Sequence, residues 1–259
     1  MSVQIDAVLT PAEFPALAAR DLSRTTCVVF DVLRATSSML TALRHGAAAI
    51  IPVIEIEEAL AVRKRDAGVL LAGERHGLRI GRELTGGIEF DCGNSPRDFP
   101  EARVRDKTIA WTTTNGTRAL RACANAEMIL LGALVNLKAV AELLDTLRPP
   151  NLLLVCAGTF ETGAFEDIFA AGALVDAVRH LSPADGLSDA TFAAWHAFRH
   201  VFDEQDLVKS SLNARRLLAN PDLAPDVPLC LARDTVPLNA SMLADGSVRG
   251  IPGFGARLA

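Results

Sequence analysis

Three times along this chain an apolar, β-rich run without alternation gives way to a small polar cluster and then to a helical pattern. The first is Thr26-Cys27-Val28-Val29-Phe30, followed by residues 31–38 and a helix-like stretch from Met39 to His45. The second runs from Thr108-Ile109-Ala110-Trp111 through Thr112-Thr113-Thr114-Asn115-Gly116-Thr117 into a helical segment beginning at Arg118. The third is Asn151-Leu152-Leu153-Leu154-Val155, then Cys156-Ala157-Gly158-Thr159, then a helical pattern from Phe165 to His180. A strand that is apolar at every position must be covered on both faces, so the repeated unit predicts an α/β fold. The expected architecture is a three-layer α/β/α arrangement around a mixed, largely parallel sheet. The polar clusters should gather on the carboxyl edge of that sheet, where such folds bind ligands.

Sliding the chain by roughly 79 residues lays Ala49-Ile50-Ile51-Pro52-Val53 over Met128-Ile129-Leu130-Leu131-Gly132, with a helix on either side in both copies. This pattern suggests an internal duplication within one domain spanning residues 1–259, with halves near 25–105 and 106–185; two similar α/β units also arise by chance. The remainder, 186–259, reads as a helical cover: one amphipathic helix over Asp189 to Leu207, another over Leu212 to Asn220, and a Pro- and Gly-punctuated end without evident catalytic signals. Between the halves, Val69 to Gly73 reads as a short strand. It leads into a segment with glycines at 73, 77, 81, 86, 87 and 93, which is expected to be a loop without helix.

The net charge of −5 and the lack of any tyrosine argue against a broad nucleic-acid surface. No segment has the pattern of a leader or the length of a membrane span, so a soluble cytoplasmic protein is expected. Five scattered cysteines without C-x-x-C spacing make a disulfide framework or zinc site a poor fit. P-loop, H-E-x-x-H and G-x-S-x-G sequences do not occur. Cys156 follows a strand but lacks the arginine six residues on that a cysteine phosphatase needs, since Thr162 stands there; it reads as a packing residue.

What remains is a set of acids and anion binders. Asp31, placed at the end of a strand, suits a metal ligand, nucleophile or base; the alternative is a structural helix N-cap or turn former. A second aspartate two residues on, as in the haloacid-dehalogenase-like phosphatases, is missing because that position is Leu33. Glu74 follows a strand and could instead form a surface ion pair with Arg75 or Arg79. Glu166 and Asp167 open a helix, where they could simply complement its dipole. Hard oxygen ligands drawn from several loops suit Mg²⁺. Arg34, Arg75, Arg79 and Arg82 are candidate anion forks. The Thr112–Thr117 loop is a candidate phosphate cradle, or a turn with a cap.

Asp31-Val32-Leu33-Arg34-Ala35-Thr36-Ser37, Gly73-Glu74-Arg75, Asp91-Cys92-Gly93-Asn94-Ser95-Pro96, Thr112 to Thr117, Cys156-Ala157-Gly158, and Glu166-Asp167 with Ala171-Gly172 occur in this order. Together they resemble the 2-phosphosulfolactate phosphatase family, magnesium-dependent phosphatases of coenzyme M biosynthesis. The resemblance covers roughly residues 25 to 180. It implies Mg²⁺-dependent hydrolysis of a phosphate monoester on a small anionic hydroxy acid bearing a carboxylate and a sulfonate. On this reading Asp31, Glu74 and Arg34 are catalytic, and Asp31, Glu74, Glu166 and Asp167 hold the metal. Substrate binding falls to Arg75, Asn94, Ser95, Thr113, Thr114, Asn115, Gly116, Thr117 and Gly158. The partner is a small phosphorylated acid, neither nucleic acid nor membrane, and a homodimer is expected. A phosphatase of a different phosphorylated hydroxy acid, or a non-catalytic anion-binding module, would use the same residues.

Overall fold

The computed structural model describes residues 2–183, 185–201 and 203–252. In chain order the first half contains β1 (Gln4–Val8), α1 (Phe14–Ala18), β2 (Thr25–Phe30), α2 (Ala35–Arg44), β3 (Ala49–Val53), α3 (Ile56–Arg65), β4 (Leu70–Arg75), β5 (Leu78–Arg79), α4 (Arg82–Thr85) and α5 (Glu101–Val104). The second contains β6 (Thr108–Thr112), α6 (Gly116–Ala122), β7 (Met128–Gly132), α7 (Leu137–Leu147), β8 (Asn151–Cys156) and α8 (Phe165–Val178). The tail adds α9 (Asp189–Arg199), α10 (Glu204–Ser210), α11 (Leu212–Leu218), α12 (Asp226–Leu231), β9 (Ala240–Met242) and β10 (Val248–Gly250).

These strands form one ten-stranded mixed sheet in the order β1-β8-β2-β7-β9-β10-β3-β6-β4-β5. Strands β1, β8, β2 and β7 are mutually parallel, as are β3, β6 and β4. The antiparallel hairpin β9–β10 pairs with β7 on one side and β3 on the other, so the two parallel blocks run in opposite senses. The order from β8 to β4 reads the same from either side when β2, β3, β4 and β9 are exchanged with β6, β7, β8 and β10. A doubled strand–helix unit would produce that order.

The uninterrupted apolar strands are buried on both faces, as their sequence demands. Every residue of β2 is buried, and its side chains alternate between two cores. Cys27 and Val29 pack with Met39, Ile50, Trp111, Leu120 and Leu131 on the side covered by α2 and α6. Val28 and Phe30 pack with Leu130, Leu154, Val140 and Leu174 on the side covered by α7 and α8. In the other block Ile109 and Trp111 of β6 join the first core, whereas Ala110 faces a third core with Leu71, Ile80 and Phe90. One core under α2 and α6 therefore spans both blocks, while the opposite faces have separate cores.

Three expectations for the chain are corrected. Residues 189–207 form two helices, because Asp203 starts a new one by accepting a hydrogen bond from the backbone N–H of Asp206. The glycine-rich segment does contain helix, the single turn α4, which stops where Gly86 takes the left-handed conformation (φ 72°). The tail is more than helical cover, since its β9–β10 hairpin fills the centre of the sheet. No helix among the described residues is long and apolar enough to cross a membrane.

Helix α8 is buried along almost its whole length and meets α9 at Gly172, where a β-carbon would overlap the backbone carbonyl of Ala194. Backbone cannot yield as a side chain can. Gly172→Ala is expected to lower unfolding stability by about 2–3 kcal/mol, the upper part of the usual overpacking range, measured by urea denaturation.

Candidate active site

The loop after β2, the end of β4, the loop after β6 and the start of α8 converge, and the 213–223 region closes over them. The result is a cavity of about 430 Å³ lined by Asp31, Arg34, Glu74, Asn94, Thr114 and Asn115 on its sheet side and by Asn213, Arg216, Leu217 and Leu223 on the other. Leu33 and Phe160 add apolar wall. The approach between the β2 and β6 loops is close. A β-carbon on Gly116, the first residue of α6, would lie 2.7 Å from Asp31 Oδ2 and 2.8 Å from the β-carbon of Ala35, the first residue of α2. Only glycine allows the two helix starts to meet here.

Buried carboxylates hold the loops in place. Glu74 accepts from the Thr114 N–H (2.9 Å) and hydroxyl (3.0 Å) through Oε1 and from the Gly77 N–H (2.7 Å) through Oε2. Asp167 accepts from the Val32 N–H (2.8 Å) and the Gly158 N–H (3.0 Å), joining the β2 and β8 loops. Glu166 accepts from Ser211 Oγ (2.6 Å) and Asn213 Nδ2 (2.7 Å), which ties α11 to the site. Each oxygen of these three acids is thus engaged. Asp31 differs: Oδ1 accepts from the Ala35 N–H (3.0 Å), and Oδ2 accepts no hydrogen bond among the described residues.

Burial of the Asp31 carboxyl, reinforced by the Glu74 and Glu166 charges against the relief given by the Ala35 N–H and Arg34, pushes its pKa up to about 7. Asp167 is likewise raised well above the usual carboxylate range, first by burial and then by Glu166 and Asp31. Two further oxygens are notable. Asn94 Oδ1 and Asn115 Oδ1 are buried without a hydrogen-bond partner, and both residues line the cavity with Asp31. A buried amide oxygen left unpaired costs free energy, so both suit a ligand that supplies positive charge or protons. Among the described residues, no three His, Cys, Asp or Glu side chains converge as a metal-binding group.

The remaining residues expected from sequence divide into two groups. Thr114, Asn115, Asn94, Glu74 and Arg34 line the cavity together with Asp31. Thr113 and Thr117 are buried behind it, their hydroxyls and backbones bonded to each other. Ser95 caps a short helical turn and donates to Asp226 Oδ1 (2.6 Å). Gly158 has φ +63° and its N–H points to Asp167. Arg75 does not line the cavity: it donates to the Ile54 carbonyl (3.2 Å) and the Thr112 hydroxyl (3.0 Å). Adjacent residues on a strand face opposite sides, so Glu74 and Arg75 of β4 cannot both point into one site. Arg79 and Arg82 turn to Glu89. Cys156 is fully buried and its thiol is raised well above its ordinary value by burial, in keeping with a packing role.

Sequence reasoning missed the tail's share. Asp226, fully buried at the start of α12, pairs with Arg34 (2.6 Å) and Arg97 (2.8 Å) and accepts from Ser95. Arg34 also donates to the Gly77 carbonyl (2.6 Å), so its guanidinium is fixed and its charge offset. Asn213 and Arg216 come from α11, a helix with no local motif to mark it.

Residues 9–240 match the model of the 2-phosphosulpholactate phosphatase family. The chain is 38% identical over 235 residues to a probable 2-phosphosulfolactate phosphatase of Caldanaerobacter subterraneus, covering 89% of this chain and 92% of that one. It is 39% identical to a protein of the same description from Thermotoga petrophila, covering 82% and 88% of the two chains. A third, from Caldicellulosiruptor saccharolyticus, is 38% identical with coverages of 81% and 85%. On this breadth of match the chain belongs to the 2-phosphosulfolactate phosphatase family of phosphoric monoester hydrolases.

Proposed function

We propose that this protein hydrolyses 2-phosphosulfolactate to sulfolactate and phosphate and that it requires Mg²⁺ to do so. The observation that carries this reading is the free Asp31 Oδ2 in a cavity that also presents the unpartnered Asn94 and Asn115 amide oxygens. These are hard oxygens, one carboxylate and two amide carbonyls, and Mg²⁺ typically takes one or two carboxylates, keeps several waters and accepts phosphate oxygens as further ligands. Asp31, Asn94 and Asn115 would hold the ion. Glu74, Glu166 and Asp167 would orient the loops around it, because their own oxygens are taken by N–H and O–H donors. When bound, the ion supplies positive charge to the phosphoryl oxygens. Arg34, held by Asp226, presents a fixed guanidinium to the substrate's carboxylate.

Phosphate release from 2-phosphosulfolactate is expected with Mg²⁺ and none in excess EDTA; undiminished turnover under chelation would remove the metal from the reading. Asp31→Asn is expected to lower kcat by at least about a thousandfold, the scale of losing a group that acts on the transition state. Burial disfavours the charged form of Asp31, so the neutral asparagine should leave the thermal midpoint unchanged or raise it. A variant that unfolds would point to a structural role instead.

Proton and metal compete for Asp31. In the metal-free protein the carboxyl takes up its proton near pH 7, and a metal ligand must lose it. Mg²⁺ affinity, measured calorimetrically between pH 5.5 and 8, is therefore expected to rise by about tenfold per pH unit below 7 and to level off above it. The slope should vanish in Asp31→Asn. The raised pKa also means that the folded apo-protein binds this proton more tightly than the unfolded chain. The stability that the proton confers is present below the ordinary carboxylate range and is lost as pH rises through about 7.

A further inference from the structure

Two arginines line the cavity, and their surroundings differ. Arg34 is buried, ion-paired with Asp226 and bonded to the Gly77 carbonyl. Arg216, on α11, is exposed, and its guanidinium makes no salt bridge or hydrogen bond to another described residue, although acids line the site. Its neighbours in the wall are the apolar Leu217 and Leu223 and the amide residues Asn213 and Asn220. The helix that carries it is anchored from beneath: Glu166 binds Ser211 and Asn213, the residues at the start of α11. An unpaired guanidinium on an anchored helix, lining a cavity whose other arginine is already compensated, has its charge and its donors available to an anion.

We infer that Arg216 is the specificity-determining residue for the substrate's sulfonate, with Leu217 and Leu223 covering the methylene that bears it. This rests on the phosphatase reading above. The sulfonate is the acid one carbon farther from the phosphate ester than the carboxylate, and Arg216 lies on the cavity's outer wall, whereas buried Arg34 lies by the β2 loop with Asp31. Glu166 acts as a positioning residue, setting where α11 presents the guanidinium.

The test compares 2-phosphosulfolactate with 2-phospholactate, which keeps the phosphate and carboxylate and lacks the sulfonate. In Arg216→Gln the ratio of kcat/KM between the two esters should fall by about 10- to 100-fold, the scale of one charge-assisted contact, chiefly through KM for the sulfonated ester. Arg216→Lys should restore part of the ratio, since it returns the charge without the fork. An unchanged ratio, or an equal loss on both esters, would overturn the assignment. Calorimetric binding of the product sulfolactate keeps the inference separate from turnover. If the wild type releases no phosphate from either ester, the phosphatase reading fails; the sulfonate site then stands if Arg216→Gln weakens sulfolactate binding about tenfold or more, and falls if it does not. Arg216 is exposed and unpaired, so the substitution should leave folding intact.

Discussion

Buried carboxylates that have no cation beside them set the organisation of this molecule. An ionised or even neutral carboxyl withdrawn from water costs several kcal/mol unless its oxygens are hydrogen-bonded. Glu74, Glu166 and Asp167 meet that demand with N–H and O–H groups taken from other loops. Their partners lie as far as 135 residues away, in the case of Asp167 and Val32. Each acid is thereby a clamp: Glu74 on the β6 loop, Asp167 on the β2 and β8 loops, Glu166 on α11. Asp226 does the same for Arg34, Ser95 and Arg97, in this case with cations among the donors. Loops that would otherwise be independent are held in a single arrangement before a ligand arrives, which is what a preorganised site requires.

The sheet decides where those loops can meet. Two parallel blocks of opposite sense share one core beneath α2 and α6, and the starts of these helices come together at Ala35 and Gly116. A crossover helix begins where its strand ends, so this contact also brings together the ends of β2 and β6 and the polar clusters that follow them. Gly116 keeps the gap narrow, and Asp31 sits in it. The site is therefore a consequence of how the blocks join, with the β9–β10 hairpin as the seam. The tail that supplies this hairpin also supplies the outer wall of the cavity, so fold and site depend on the same C-terminal segment.

Much of this was legible in the sequence because it is local. Runs such as Thr25–Phe30 and Asn151–Cys156 are apolar without alternation, which requires cover on both faces, and both are interior strands. Polar residues at strand ends marked Asp31, Glu74, Thr114 and Asn115, and the family resemblance added Asn94; all five share one cavity. What could not be read is which acid keeps a free oxygen. That depends on donors contributed from distant positions, so four acids with equal claims in sequence become three engaged clamps and one open carboxylate. Asp226 and Arg216 were invisible for a related reason: neither stands in a motif, Asp226 acts through partners more than a hundred residues away, and Arg216 reaches the cavity only because α11 folds over it. Arg75 is different. The alternation of a strand already implied that it and Glu74 face opposite sides, a constraint that counting arginines near the strand end does not register.

Charge at the cavity explains why an acidic site could serve an anionic ester. Its walls hold Asp31 and Glu74 against Arg34 and Arg216, and Asp226 already offsets Arg34 from behind. The proposed substrate brings a phosphate, a carboxylate and a sulfonate, about four negative charges at neutral pH. Two guanidinium groups, one of them compensated, cannot balance that load. A divalent cation on Asp31 Oδ2 would lower the net negative charge where the phosphate must lie, and it would relieve the carboxyl whose pKa burial has raised. The same ion would give the unpaired Asn94 and Asn115 oxygens the positive partner they lack. Metal and phosphate would then need each other in this site, and Arg216 would be left to sort acids by what they carry at the far end.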